Sequence, residues 1–275
     1  MSIITLTSDL GNKDHSVAAI KGAIYNELPE VRIVDISHNV SPFDIQEGAY
    51  IINAAYRFFP KNSVHIIGID SEWTPENRHI VVKVNEHYFV CSDNGIVSLI
   101  TNNTTPDFIY EVPFEATENL CFAEAEIFTK VACHIIKGKE LSDISNPIKK
   151  IKELTTLNPV YIQPNRIIGS VIYIDNYGNV VTNITRSFFN EHLQGRKFVI
   201  NARGVNFSEI HNSYSHAIDF TIKKTDREED GKQIAIFNQS GYLELAIYKS
   251  DPNKYGAANT LFGLKCRDTI NITFH

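Results

Sequence analysis

The run Ile3-Ile4-Thr5-Leu6-Thr7 passes directly into Ser8-Asp9-Leu10-Gly11 and then into a helical pattern from near Asp14 to Asn26. A strand that feeds a helix this closely belongs to a crossover unit, and repeated alternation builds a mainly parallel sheet covered by helices. The alternation continues. Val31–Ile36 reads as a second strand, and Asp44 with Glu47 three residues on reads as an N-cap in a capping-box variant. Ile45, Ala49, Ile52, Ala55/Tyr56 and Phe59 recur at helical spacing until Pro60 stops them. Val64–Ile69 is a continuous apolar run, as in a strand covered on both faces. Residues 79–84 and 87–91 form a hairpin turned at Asn85-Glu86, and 122–137 a further helix ending at Gly138.

After Lys139 the pattern loosens and Pro147, Pro159 and Pro164 punctuate it. Beyond it the signals are mostly β, at 168–175, 180–184, 197–200, 204–208, 233–238, 242–248 and 268–274, with turns at Tyr177-Gly178-Asn179 and Ser240-Gly241. The expected organisation is an α/β N-terminal domain over 1–149, a linker over 150–166 and a β-rich C-terminal domain over 167–275. The charged run Lys223–Lys232 is a solvated hairpin loop on this reading.

A net charge of −6 argues against a broad nucleic-acid surface. The N-terminus lacks the pattern of a signal peptide, and no apolar run approaches a membrane span. Cys91, Cys121, Cys133 and Cys266 form no CxxC pair, so they read as reduced, mostly buried thiols of a cytoplasmic protein. His211, His216 and Asp219 match no common metal spacing, and no metal is expected.

Three stretches could carry chemistry. A strand-to-helix turn offers N–H groups that suit phosphate, yet this one carries Asp9 and Asp14. Carboxylates suit hydroxyl donors such as a ribose diol, or a cationic group; alternatively Asp9 caps a turn and Asp14 caps the helix. Asp70 leaves the buried run and Arg78 follows eight residues on. A guanidinium beside Asp70 would keep it ionised and able to orient water, the alternative being a structural ion pair in a surface loop. Asp175, Asn179 and Asn183 surround a tight turn, where Asn can read an adenine edge or simply serve the turn.

Together the blocks TSDLGNKDHSVAAIKG, IVDISHNVSPFDIQEGAYII, FVCSDNGIVSLI, GSVIYIDNYGNVVTNI, NQSGYLELAI and GAANTLFGLKCRDTI resemble the S-adenosyl-L-methionine hydroxide adenosyltransferases, adenosine-forming hydrolases related to fluorinating and chlorinating enzymes. The resemblance implies a Rossmann-like α/β/α N-terminal domain and a small β-barrel-like C-terminal domain. It implies a homotrimer with S-adenosylmethionine (SAM) held as substrate between neighbouring subunits, and no cofactor. By motif position, Asp9 would hold the ribose hydroxyls and Phe43 would wall the sugar. Ser16 and Asp175 would meet the methionine end. Asn179 would read adenine, with backbone contacts near Ala257 and Ala258. Asp70 and Arg78 would handle water as catalytic residues.

The halogenating relatives carry Tyr where Asp70 stands and a long insertion where only Asn85-Glu86 joins two strands here, which favours oxygen over halide. The hydrolase pattern Phe-His-Gly-Arg-Asp reads Phe122-Ala123-Glu124-Ala125-Glu126 in this chain, so the family histidine is Ala123. Glu124 and Glu126 read as solvated charges at a helix entry, the alternative being that they act on water; His79 could stand in for the histidine but is expected on the opposite strand face. Ser71-Glu72-Trp73-Thr74 replaces Pro-Gly-Val-Gly, and Lys224 stands where relatives place an aromatic against adenine. The leading expectation is SAM hydrolysis. Its rivals are a SAM- or adenosine-binding homologue without turnover, and displacement on another adenosine-type ligand.

Overall fold

A computed structural model describes residues 3–101, 104–113, 122–155, 157–227, 229 and 231–275. The chain divides into two compact units, residues 1–155 and 156–275.

The first unit contains β1 (Ile3–Ser8), α1 (Ser16–Glu27), β2 (Arg32–Ser37), α2 (Ile45–Ala55), β3 (Val64–Gly68), β4 (His79–Val84), β5 (His87–Ser92), α3 (Ile96–Thr101), β6 (Phe108–Glu111), α4 (Thr129–Ile136) and β7 (Asn146–Pro147). Among the described residues the strands form one sheet ordered β2-β1-β3-β5-β4-β6-β7. The first four strands in that order pair in parallel, and β4 runs antiparallel to both β5 and β6. Side-chain alternation sorts the core by face. Ile4, Leu6, Val64 and Ile66 pack with Ile20 and Ile24 of α1 and Val131 and Ala132 of α4. Ile67, Ile80, Val82 and Phe89 pack with Ala49 and Ile52 of α2 and Ile96 and Ile100 of α3.

Local details depart from the sequence reading. Helix α1 begins at Ser16 with His15 as its N-cap, so Asp14 is not the cap. Asp44 does cap α2, accepting from Glu47 N–H at 2.9 Å, but the Glu47 carboxylate accepts from Ser41 N–H at 3.1 Å rather than closing a box on Asp44. After Ala55 the chain tightens into a 3-10 turn, Tyr56–Phe58, before Pro60. The turn Asn85-Glu86 has both residues at positive φ (52° and 63°), as a two-residue hairpin of right-handed twist requires. Helix α3 was not anticipated, because its residues are almost all buried and no polar face marks a period.

The second unit contains β8 (Val160–Ile162), β9 (Arg166–Ile174), β10 (Val180–Thr185), α5 (Arg186–Leu193), β11 (Phe198–Ala202), β12 (Val205–Phe207), β13 (Gln233–Phe237), β14 (Tyr242–Ile247), α6 (Ala258–Leu261) and β15 (Thr269–Phe274). Its antiparallel sheet is ordered β12-β11-β15-β9-β10-β14-β13, with β8 beside β9. The ends β12 and β13 approach one another, and the sheet wraps nearly into a barrel around Ile167, Val171, Ile200, Leu245 and Ile272. Segment 150–166 is built into the two units: Lys152 and Leu154 bond to Asp93 and Ser98, while Val160–Ile162 is the strand β8.

Cys91 and Cys133 are buried free thiols and Cys266 is exposed, while Cys121 lies outside the described residues. Among the described residues no helix is long and apolar enough to cross a membrane.

Candidate functional site

In open α/β sheets ligands collect at the carboxyl ends of parallel strands. In the first unit that edge is formed by the chain leaving β1 and β3. Asp9 N–H donates to Gly68 O at 3.3 Å, tying the two exits together. Asp9 Oδ2 accepts from Phe43 N–H at 2.8 Å, so Asp9 reaches across to the loop before α2 rather than capping its own turn. Phe43 is 71% exposed and its backbone is left-handed, with φ 62°. This leaves an aromatic ring standing beside a carboxylate. Gly11 N–H donates to His38 O at 2.7 Å, and Ser8 Oγ lies 2.7 Å from His38 Nδ1, locking the same two loops. Ser16 is the first residue of α1 and is half-buried.

Asp70 follows β3 with φ 47°, a conformation that costs a non-glycine residue about 1–2 kcal/mol. It is held there by Asn77 Nδ2, which donates to Asp70 O at 2.9 Å, and by Asn94 Nδ2, which donates to Ile69 O at 2.9 Å. Such outliers concentrate at functional sites. The expected pairing of Asp70 with Arg78 is not made. Arg78 donates instead to Glu111 Oε2 at 2.8 Å and Asp93 Oδ2 at 3.1 Å. The register explains this: Arg78 precedes β4, whose neighbours are β5, leading into Asp93, and β6, ending at Glu111. Arg78 therefore clamps the three strand ends, and through Asp93 fixes the neighbouring Asn94 that holds Asp70.

The reading of Glu124 as a solvated charge is overturned. The chain enters α4 through a π-helical turn, Glu124–Phe128, a distortion often found at functional sites. Glu124 is 3% exposed, and its Oε1 accepts from Ser71 Oγ at 2.6 Å. Burial, with a smaller push from the Asp9 charge, raises its pKa above the ordinary carboxylate range. Glu126 is half-buried, and its Oε2 has no hydrogen-bond partner among the described residues. His79 lies on the same side. It is buried, packs edge-on against Phe128 and places Nε2 2.9 Å from Ser71 O. Burial lowers its pKa, so the ring is neutral. The sequence signal for this cluster is Gly68, since glycine inside a strand marks the close approach of another group.

In the second unit the Asp175 carboxylate organises its own turn. It accepts from Tyr177 N–H at 2.9 Å, Asn179 N–H at 2.8 Å and Asn179 Nδ2 at 2.9 Å. Gly178, at φ 74°, is required here, because a Cβ would meet Ala257 Cβ at 2.4 Å. Asn259 N–H donates to Gly178 O at 2.9 Å, bringing the buried Ala257 and Ala258 against the turn. Nearby, buried Glu244 accepts from Tyr214 Oη and Asn238 Nδ2. Burial raises its pKa, and the Asp175 charge adds to the effect.

The fold is thus a two-unit one, α/β then β, with a carboxylate-lined strand edge on the first unit and an Asx-rich turn on the second. The SAM hydroxide adenosyltransferase N-terminal domain model matches residues 4–145, and the C-terminal domain model matches residues 169–271. The chain belongs to the SAM hydroxide adenosyltransferase family. It is 28% identical to an (R)-S-adenosyl-L-methionine hydrolase of Methanocaldococcus jannaschii over 92% of this chain and 91% of that one. It is 27% identical to a fluorinase of Nocardia brasiliensis over 89% of each chain. An uncharacterised conserved protein of Thermotoga maritima shares the fold with a TM-score of 0.81 at 23% identity, covering 99% of this chain and 100% of that one.

Proposed function

We propose that the chain hydrolyses SAM at C5′ to adenosine and L-methionine. The observation that carries this reading is the convergence of Asp9, the exposed Phe43 ring and the strained Asp70 at the ends of β1 and β3. A sulfonium nucleoside is cationic and lacks phosphate, which suits an edge lined by carboxylates. Methionine leaves as a neutral thioether and needs no protonation, so positioning and preorganised charge do the catalytic work and no cofactor is required. Asp9 takes the ribose diol, Phe43 walls the sugar and Asp70 orients water. Arg78 acts behind Asp70 as a positioning residue. Ser16 and Asp175 meet the methionine end, and Asn179 and the backbone at Ala257–Ala258 meet adenine.

On this reading the first unit is Rossmann-like, the chain is a cytoplasmic homotrimer, and each ligand lies between neighbouring subunits. Turnover would favour oxygen over halide, given Asp70 and the two-residue β4–β5 turn. The test is to incubate the purified chain with SAM and follow adenosine by chromatography, with calorimetric binding and light scattering in parallel. Equimolar adenosine and methionine, no 5′-halogenated nucleoside in added fluoride or chloride, and the mass of three chains are expected. Binding without adenosine would establish the second reading, a non-catalytic nucleoside binder, which Ala123 favours because its side chain cannot hold or shuttle a proton.

A further inference from the structure

Glu124 is a charge the packing does not need. Burying a carboxylate costs several kcal/mol unless charges or several donors compensate it, and here Ser71 Oγ at 2.6 Å is its one side-chain donor among the described residues. Space for it exists only because residue 68 is glycine: a Cβ there would stand 2.6 Å from Glu124 Cγ and 2.7 Å from Oε1. Ser71 is equally fixed. Its carbonyl accepts from His79 Nε2 at 2.9 Å and from Ser92 Oγ at 3.1 Å, both buried side chains. A half-buried hydroxyl, carried by the residue that follows Asp70, is thereby fixed against a sealed carboxylate.

Resting on the hydrolase reading, we propose that Ser71 and Glu124 form a proton relay for the attacking water. The water oxygen bonds to C5′ as the C5′–sulfur bond breaks, its electron pair remaining on sulfur. The water proton passes to Ser71 Oγ while the Ser71 proton passes to Glu124 Oε1. The products are adenosine, neutral methionine and one proton, which leaves Glu124 for solvent before the next cycle. Ser71 meets the water and is the catalytic residue; Glu124 acts through it. The relay supplies the proton acceptor that Ala123 cannot. Among the described residues the other titratable groups around Glu124 are Asp9 from the turn after β1, His79 of β4 across the Ser71 carbonyl, and Glu126 of its own helix.

The experiment measures adenosine formation from SAM against pH for the full chain and for Glu124→Gln, Ser71→Ala and the double variant. Glu124→Gln keeps shape and an acceptor for Ser71 but cannot take a proton. Expected are a kcat fall of about 10²-fold or more, a KM within about threefold, and loss of the acidic limb that the wild type shows as Glu124 protonates. The double variant should be no slower than either single one, since the two act as a unit. An intact thermal transition in both single variants excludes unfolding as the cause. Glu124→Gln with unchanged kcat and pH profile overturns the relay while the hydrolase reading stands. A wild type that makes no adenosine overturns the hydrolase reading and the relay with it.

Discussion

Asp175 in the second unit and the carboxylates at the β1 and β3 exits of the first are treated in opposite ways. In the second, Asp175 spends its oxygens on the backbone and side chain of its own turn, and Asn179 is 5% exposed and bound to it. In the first, Asp70 sits in a left-handed backbone, Glu124 is buried against one hydroxyl and Asp9 reaches across to a strained Phe43. The satisfied turn stabilises the fold, whereas the strained edge costs stability and is held by neighbours such as Asn77 and Asn94. The proposed chemistry rests on this strained edge, because strain that neighbours must hold is often kept for function.

The largest expected effect is in the satisfied unit. Asp175→Ala removes three hydrogen bonds to a charged acceptor, two of them from the buried Asn179, and should destabilise the protein by about 2–3 kcal/mol. Relief of the Asp175 charge beside Glu244 offsets part of this. Urea unfolding measures it. A loss below about 0.5 kcal/mol would show that the turn is not held by its carboxylate.

Acid should separate the units next. In the first unit burial lowers the pKa of His79 and His87, and burial with the His87 charge brings His65 to about 3. These rings fold neutral, so the unfolded chain binds more protons below pH 6.5. Their stability is complete above that pH and declines as pH falls, for His65 down to about 3. For His65 alone the loss at pH 5.5 is about 1.4 kcal/mol. Glu244 has the opposite sign: its raised pKa means that the folded second unit gains stability as pH falls towards 4.5. Glu124 opposes the histidines in the same sense within the first unit. Trp73, the chain's single tryptophan, lies in the first unit and reports it selectively. Its fluorescence should change at milder acidity than the opening of the β-rich unit, read by hydrogen exchange at the amides of β9 and β14. Coincident transitions would erase the distinction.

Much of this architecture was legible because periodicity reports burial on one face. The strands of the second unit, apart from β8 in the expected linker, and the Asn85-Glu86 hairpin follow directly from alternation and turn chemistry. Helix α3 was not legible, because a helix buried nearly all round has no period to read. At the site, motif positions brought Asp9, Phe43 and Asp70 to the same edge. The partner of Arg78 was hidden because it is set by strand register, with Asp93 fifteen and Glu111 thirty-three residues away. Glu124 was hidden for a different reason: charged residues at helix starts are usually solvated, and only the strand glycine at 68 announced an incoming side chain.

The smallest effect sharpens the contrast most. Asp70→Gly relieves the left-handed backbone at φ 47° while leaving intact the Asp70 carbonyl that Asn77 holds. Glycine occupies that conformation freely but loses more entropy on folding, so the net gain should be about 0.5–1 kcal/mol. Removing the carboxylate should cut adenosine formation by about 10²-fold, since the water loses the group that orients it. A urea midpoint that rises while activity collapses marks a residue kept for chemistry at the expense of the fold. A variant that instead loses stability would mean that the Asp70 side chain holds the β3 exit together, and the strain at this edge would then serve the fold.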